Sequence, residues 1–113
     1  MIEIKPGMYI GVRLLEKLGA CEGEVENFRL AFPHGLRLTE KSILAALDNH
    51  LSVHWFMRRI LRHGADGILL RKTASEFDSW IHSKDGDLKN RYYEKYASVA
   101  MGLIRNPENL KGY

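Results

Sequence analysis

The chain has 113 residues, 45% of them hydrophobic, with two Trp, five Tyr and four Phe: material for one core, and too apolar for a disordered chain. A formal charge of +3 and a pI near 9.1 permit contact with nucleic acid or an acidic partner without demanding either. Apolar runs such as Ile68–Leu70 are too short to cross a bilayer, and the N-terminus does not read as a secretory signal.

A single cysteine, Cys21, leaves no intramolecular disulfide, so the expectation is a cytoplasmic protein without membrane contact. Residues 1–7 read as an extended arm ending at Pro6-Gly7. From Met8 the spacing of Tyr9, Val12, Leu14, Leu15 and Leu18 predicts a helix closed by Gly19. A second helix is predicted over Glu22–Phe32 and stopped by Pro33-His34-Gly35. Thr39 is a natural N-cap for a third, Glu40–Asp48, with Ile43, Leu44 and Leu47 inward.

Asp48-Asn49-His50 forms a corner, with Asn49 as the residue suited to a left-handed conformation. Ser52 then caps a fourth helix, Val53–His63, which buries Trp55, Phe56 and Ile60, and Gly64 closes it. Thr73 and Glu76 form a Thr-x-x-Glu capping box ahead of Phe77, Trp80 and Ile81, although Ile68–Leu70 allow this fifth helix to begin near Asp66. Asp87 caps the last helix, Leu88–Arg105, whose Leu88, Tyr92, Tyr96, Val99 and Leu103 make an apolar stripe. Asn106-Pro107 ends it, leaving 106–113 as a loose tail. The expected fold is a single all-α domain, 1–113, a bundle of five to six short helices.

Basic residues cluster in the middle. Arg58, Arg59, Arg62, Arg71 and Lys72 fall within fifteen positions holding one acid, Asp66. The Leu38–Gly64 segment has the outline of a helix-turn-helix, with His54, Arg58, Arg59 or Arg62 placed to reach bases or phosphates. Against that reading, Trp55 and Phe56 are bulky where a reading helix carries small polar groups, which makes them core and the arginines an outer face. Tyr93 lies about 100° round its helix from the Tyr92–Tyr96 stripe. As an exposed tyrosine beside Lys89 and Arg91 it suits a protein interface, or a base stack.

His50-x-x-x-His54 has metal-ligand spacing, but a Ser52 cap puts His50 off the helix, and no further ligand has recognisable spacing. Cys21 reads as a small packing residue rather than a nucleophile. No catalytic residue, metal site or cofactor is expected.

Leu14-Leu15-Glu16-Lys17-Leu18-Gly19-Ala20-Cys21, then Phe28, Phe32-Pro33, Leu38-Thr39 and Leu51–Leu61 with its Trp and paired arginines, carry a likeness. Together they resemble a short module of uncharacterised bacterial and bacteriophage proteins. The resemblance covers the first half of the chain and implies a context, that of small accessory proteins of phages and mobile elements. The leading expectation is therefore a non-catalytic protein that engages, or inhibits, a host or phage protein such as a defence complex. Its contact surface centres on Arg58, Arg59, Arg62, Arg71, Lys72 and Tyr93. Direct nucleic-acid binding through the 40–63 helix pair is the alternative, and self-association is a further option because short helices can leave an apolar face uncovered.

Overall fold

The computed structural model describes residues 3–111. It is an all-α bundle of six helices with one two-stranded antiparallel sheet at its edge. In chain order the elements are β1 (Tyr9–Ile10), α1 (Val12–Lys17), α2 (Glu22–Ala31), β2 (Leu36–Arg37), α3 (Glu40–Asp48), α4 (Val53–Ile60), α5 (Ala65–Ile81) and α6 (Gly86–Ile104). A 3-10 turn, Pro107–Asn109, follows.

The first helix is shorter than its apolar spacing predicts. Tyr9 and Ile10 pair with Arg37 and Leu36 instead, and Gly7 N–H donates to Leu38 O across the same edge. The Tyr9 ring crosses Gly11 and Gly35. At Gly35, φ is +72° and a Cβ would sit 2.5 Å from that ring, so both the backbone and the space require glycine there. Of the expected N-terminal arm, Glu3–Gly7 are described, and Ile4 is buried in the core.

α3 has the predicted bounds, and Thr39 Oγ1 accepts from Ser42 N–H at 3.1 Å as an N-cap. The corner after it differs in detail. His50, not Asn49, takes the left-handed conformation, at φ 58°, while Asn49 Nδ2 donates to Ala45 O. Ser52 does not cap α4; its hydroxyl donates to Glu24 Oε1 at 3.0 Å and ties the helix start to α2. α4 ends at Ile60, so Arg62 and His63 lie in the connection to α5.

α5 runs unbroken through the expected capping box. Thr73 is buried mid-helix, where its hydroxyl donates to Leu69 O at 2.8 Å. Glu76 accepts from Lys95 of α6 at 2.9 Å and from the neighbouring Ser75 hydroxyl at 2.8 Å, not from the Thr73 N–H that a capping box requires. The helix starts near Asp66, where the Ile68–Leu70 run allows it to begin. Asp85, not Asp87, caps α6, accepting from Asp87 N–H at 2.9 Å.

α6 is the centre of the bundle, with α5 along one side and α3 on another. Its buried face is Tyr93, Tyr96, Ala97, Ala100, Met101 and Ile104. The expected stripe is rotated: Leu88, Tyr92, Val99 and Leu103 are only half-buried, and the fully buried row lies about 100° further round. The row was hidden because it includes two alanines, whose apolar weight in the sequence is small.

The expected loose tail is also corrected. Asn109 Nδ2 donates to Leu103 O at 3.1 Å, and Leu110 forms a bridge with Leu61 and is buried. Arg62 N–H donates to Asn109 O at 2.7 Å and Lys111 N–H to Ile60 O at 2.8 Å. A chain segment with an apolar side chain to bury and main-chain partners to meet has reason to stay folded against the bundle. Residues 112–113 of that tail lie outside the described residues. Leu110→Ala should therefore cost about 2–5 kcal/mol in urea-unfolding stability, the range for truncating a buried leucine. A tail detached from the fold gives no measurable change.

Candidate functional site

The structure gathers the charged middle of the chain into an open groove of about 670 Å³. Positions 54, 55, 58 and 59 share one face of α4 because they are one helical turn apart. His54, Trp55, Arg58 and Arg59 thus form one wall. Ser52 at the start of α4, Leu61 and His63 of the connection, Asp66 of the first α5 turn and Lys111 of the returning C-terminal segment form the rest.

Arg59 lies over the Trp55 ring at 5.4 Å, a cation–π contact that orients the guanidinium while leaving its charge intact. Arg58 is exposed, and its carbonyl accepts from Lys111 Nζ at 3.3 Å. Among the described residues the groove so places Arg58, Arg59 and Lys111 with one carboxylate, Asp66. Burial pushes the Asp66 carboxyl up. Hydrogen bonds from Gly64 and Gly67 N–H, with the charges of His63 and Arg58, outweigh that effect and leave its pKa lowered. Asp66 thus stays ionised and serves the start of α5.

His54 is fixed from behind. Its Nδ1 lies 3.0 Å from the buried Tyr96 hydroxyl, with the rings edge to face. Burial raises the Tyr96 pKa and so keeps the phenol protonated. Burial, then the nearby Arg58 charge, lowers that of His54 despite the opposing Asp66 carboxylate. The His54 Nδ1 and the Tyr96 hydroxyl are thus held as a hydrogen-bonded pair that fixes the imidazole ring.

Not every expected contact residue joins the groove. Arg62 is exposed but uses Nε to hold Leu110 O at 2.9 Å, so it fastens the C-terminal segment. Arg71 and Lys72 are exposed further along α5, beyond the groove walls. Tyr93 is not a surface tyrosine: it is 6% exposed, edge-on to Trp80 at 5.8 Å, with the Lys89 ammonium 5.7 Å over its ring. It belongs to an aromatic cluster in which Trp80 stacks on Tyr92 at 5.4 Å, and burial raises the hydroxyl pKa of both tyrosines. Lys111 and the groove-lining role of Trp55 were missed. The Trp55–Arg59 spacing of four was a usable signal for the second, whereas only the closed fold brings Lys111 near.

In the helix-turn-helix segment, Arg58 and Arg59 face outward while part of α4 is engaged with the bundle. α4 has eight residues, His54 is engaged with Tyr96, and Phe56 lines an apolar pocket of about 70 Å³ against Phe28, Leu38 and Ile43. That pocket is about half the size of a dry cavity known to hold a benzene-sized guest, about 150 Å³. Among the described residues no group of three or more His, Cys, Asp or Glu converges as a metal site. Cys21 is exposed at the start of α2. No helix of the described residues is long and apolar enough to cross a membrane. Comparisons with protein-family models, curated proteins and solved structures found no match.

The His54 shift sets a pH dependence. A histidine whose folded pKa is lowered contributes stability that is fully present above its unfolded value, about 6.5, and is lost as pH falls through the folded value. The urea midpoint should fall between pH 7 and pH 5 more steeply for the native chain than for His54→Gln. Equal slopes in the two proteins rule out His54 as the titrating group.

Proposed function

We propose that the chain is a non-catalytic binding protein whose groove between α4 and the C-terminal segment takes an acidic stretch of a protein partner. The observation that carries this reading is the convergence of Arg58, Arg59 and Lys111 on one open surface with Trp55 beside them. Arginine and tryptophan are the side chains over-represented at the energetic centres of protein interfaces. An acidic segment gains charge-assisted hydrogen bonds from the guanidinium groups and apolar contact from the indole. The fixed Asp66 carboxylate disfavours a uniform row of phosphates, and it offers a basic or amide group of a mixed peptide a partner of its own.

The resemblance of the first half of the chain to phage accessory modules supplies the context: the partner is a host or phage protein, and occupancy of its acidic surface is a means of inhibition. Nucleic-acid binding is the second reading, favoured by the same positive groove. It predicts affinity that falls steeply and log-linearly with salt, from release of phosphate counterions.

Capture from bacterial lysate, with and without nuclease, separates the two readings. Protein recovered regardless of nuclease, and lost with Arg58→Glu or Lys111→Glu, supports the proposal. Recovery that nuclease abolishes supports nucleic acid instead. For a purified partner, each charge reversal should weaken binding about tenfold or more, roughly 1.4 kcal/mol, in calorimetry.

A further inference from the structure

α5 carries a second surface that the groove does not use. Its inner face, with Leu69 and Thr73, is buried, while Leu70, Phe77 and Ile81 are 49%, 38% and 55% exposed and Ala74 is exposed with them. Positions 70, 74, 77 and 81 are spaced four, three and four residues apart. That is the spacing of the seam along which two helices pack side by side. The seam runs along the flank of the helix between the aromatic cluster on one side and Arg71 and Asp78 on the other, since 71 and 78 fall about 70–90° beyond its centre. The Phe77 and Tyr92 rings pack with centroids 5.4 Å apart, so the aromatic cluster backs the inner edge of the seam.

We infer that this seam pairs with the same seam of a second copy of the chain, antiparallel about a two-fold axis. The charges decide both the occupant and the direction. Arg71 and Asp78 are exposed, and neither forms an ion pair within the described chain. In an antiparallel pair centred between Ala74 and Phe77, Leu70 lies level with Ile81 of the other copy and Ala74 with its Phe77. The small residue then receives the large one. Arg71 of each copy comes beside Asp78 of the other, twice by symmetry. A parallel pair sets Phe77 against Phe77 and carries Arg71 of one copy and Asp78 of the other to opposite sides of the seam, where they cannot meet. One surface that is complementary to itself in shape and charge under a two-fold operation fits a second copy. The inference does not depend on the groove reading, because its residues are different.

Sedimentation velocity of the full chain over a wide concentration range tests it. The native protein should shift from monomer to dimer with concentration. Leu70→Glu with Ile81→Glu should leave monomer throughout, with circular dichroism showing the helices intact. Arg71→Asp or Asp78→Arg alone should weaken the dimer roughly tenfold, and the double charge swap should restore it. A native chain that stays monomeric at high micromolar concentration overturns the inference. So does a dimer indifferent to all four substitutions, or a swap that fails to restore association in a protein of native helicity.

Discussion

Ala97 and Ala100 lie fully buried on α6, and the bundle is arranged around the row they form with Tyr93 and Ile104. A methyl side chain lets a neighbouring helix approach more closely than a leucine does, because the separation of packed helices is set by the side chains between them. That close row makes α6 the one long helix against which both α3 and α5 are laid. It also fixes the orientation of everything else on α6. With the alanine row turned to the core, Tyr96 points its hydroxyl at His54, and Tyr92 and Tyr93 turn to Trp80. Enlarging either alanine forces the helices apart, since a packed interior has no space for extra methylenes.

The second constraint is the return of the C-terminal segment. α6 delivers Asn106–Lys111 to the end of α4, where main-chain hydrogen bonds and the buried Leu110 hold them. This return supplies the far wall of the basic groove and brings Lys111 to Arg58. Three like charges on one surface repel, and the fold tolerates them because they are solvated and because Asp66 lies within the same groove. In the proposed reading, the excess of basic over acidic side chains among the described residues is what draws an acidic partner to the groove.

Much of this architecture was legible in the chain. Thr39, Gly19 and Pro33-His34-Gly35 mark their boundaries by local chemistry, and local chemistry is what a sequence displays. The errors have other causes. Ser52 and Thr73 are good capping residues by type, but Glu24, met only in the folded chain, takes the Ser52 hydroxyl, and because α5 runs on through Thr73 its hydroxyl turns back to the Leu69 carbonyl of the same helix. Tyr93 was placed on the surface because bulky apolar residues marked the wrong face of α6, and the alanines that define the buried face carry little weight in a periodicity. The basic cluster was visible as composition. Its division into groove residues, a fastening arginine at 62 and two distant cations at 71 and 72 required the turn at Ile60 and the closure by Leu110.

The groove takes from α5 only Asp66 of its first turn and the seam runs from Leu70 to Ile81, so the two surfaces share no residue. Amide and side-chain chemical shifts report on the groove residue by residue. Titration of the isotope-labelled chain with a glutamate-rich peptide should move the resonances of His54, Trp55, Arg58, Arg59, His63 and Lys111 together, leaving those around Arg71 and Lys72 in place. Shifts centred on Arg71 and Lys72, or none at the α4 wall, contradict the account.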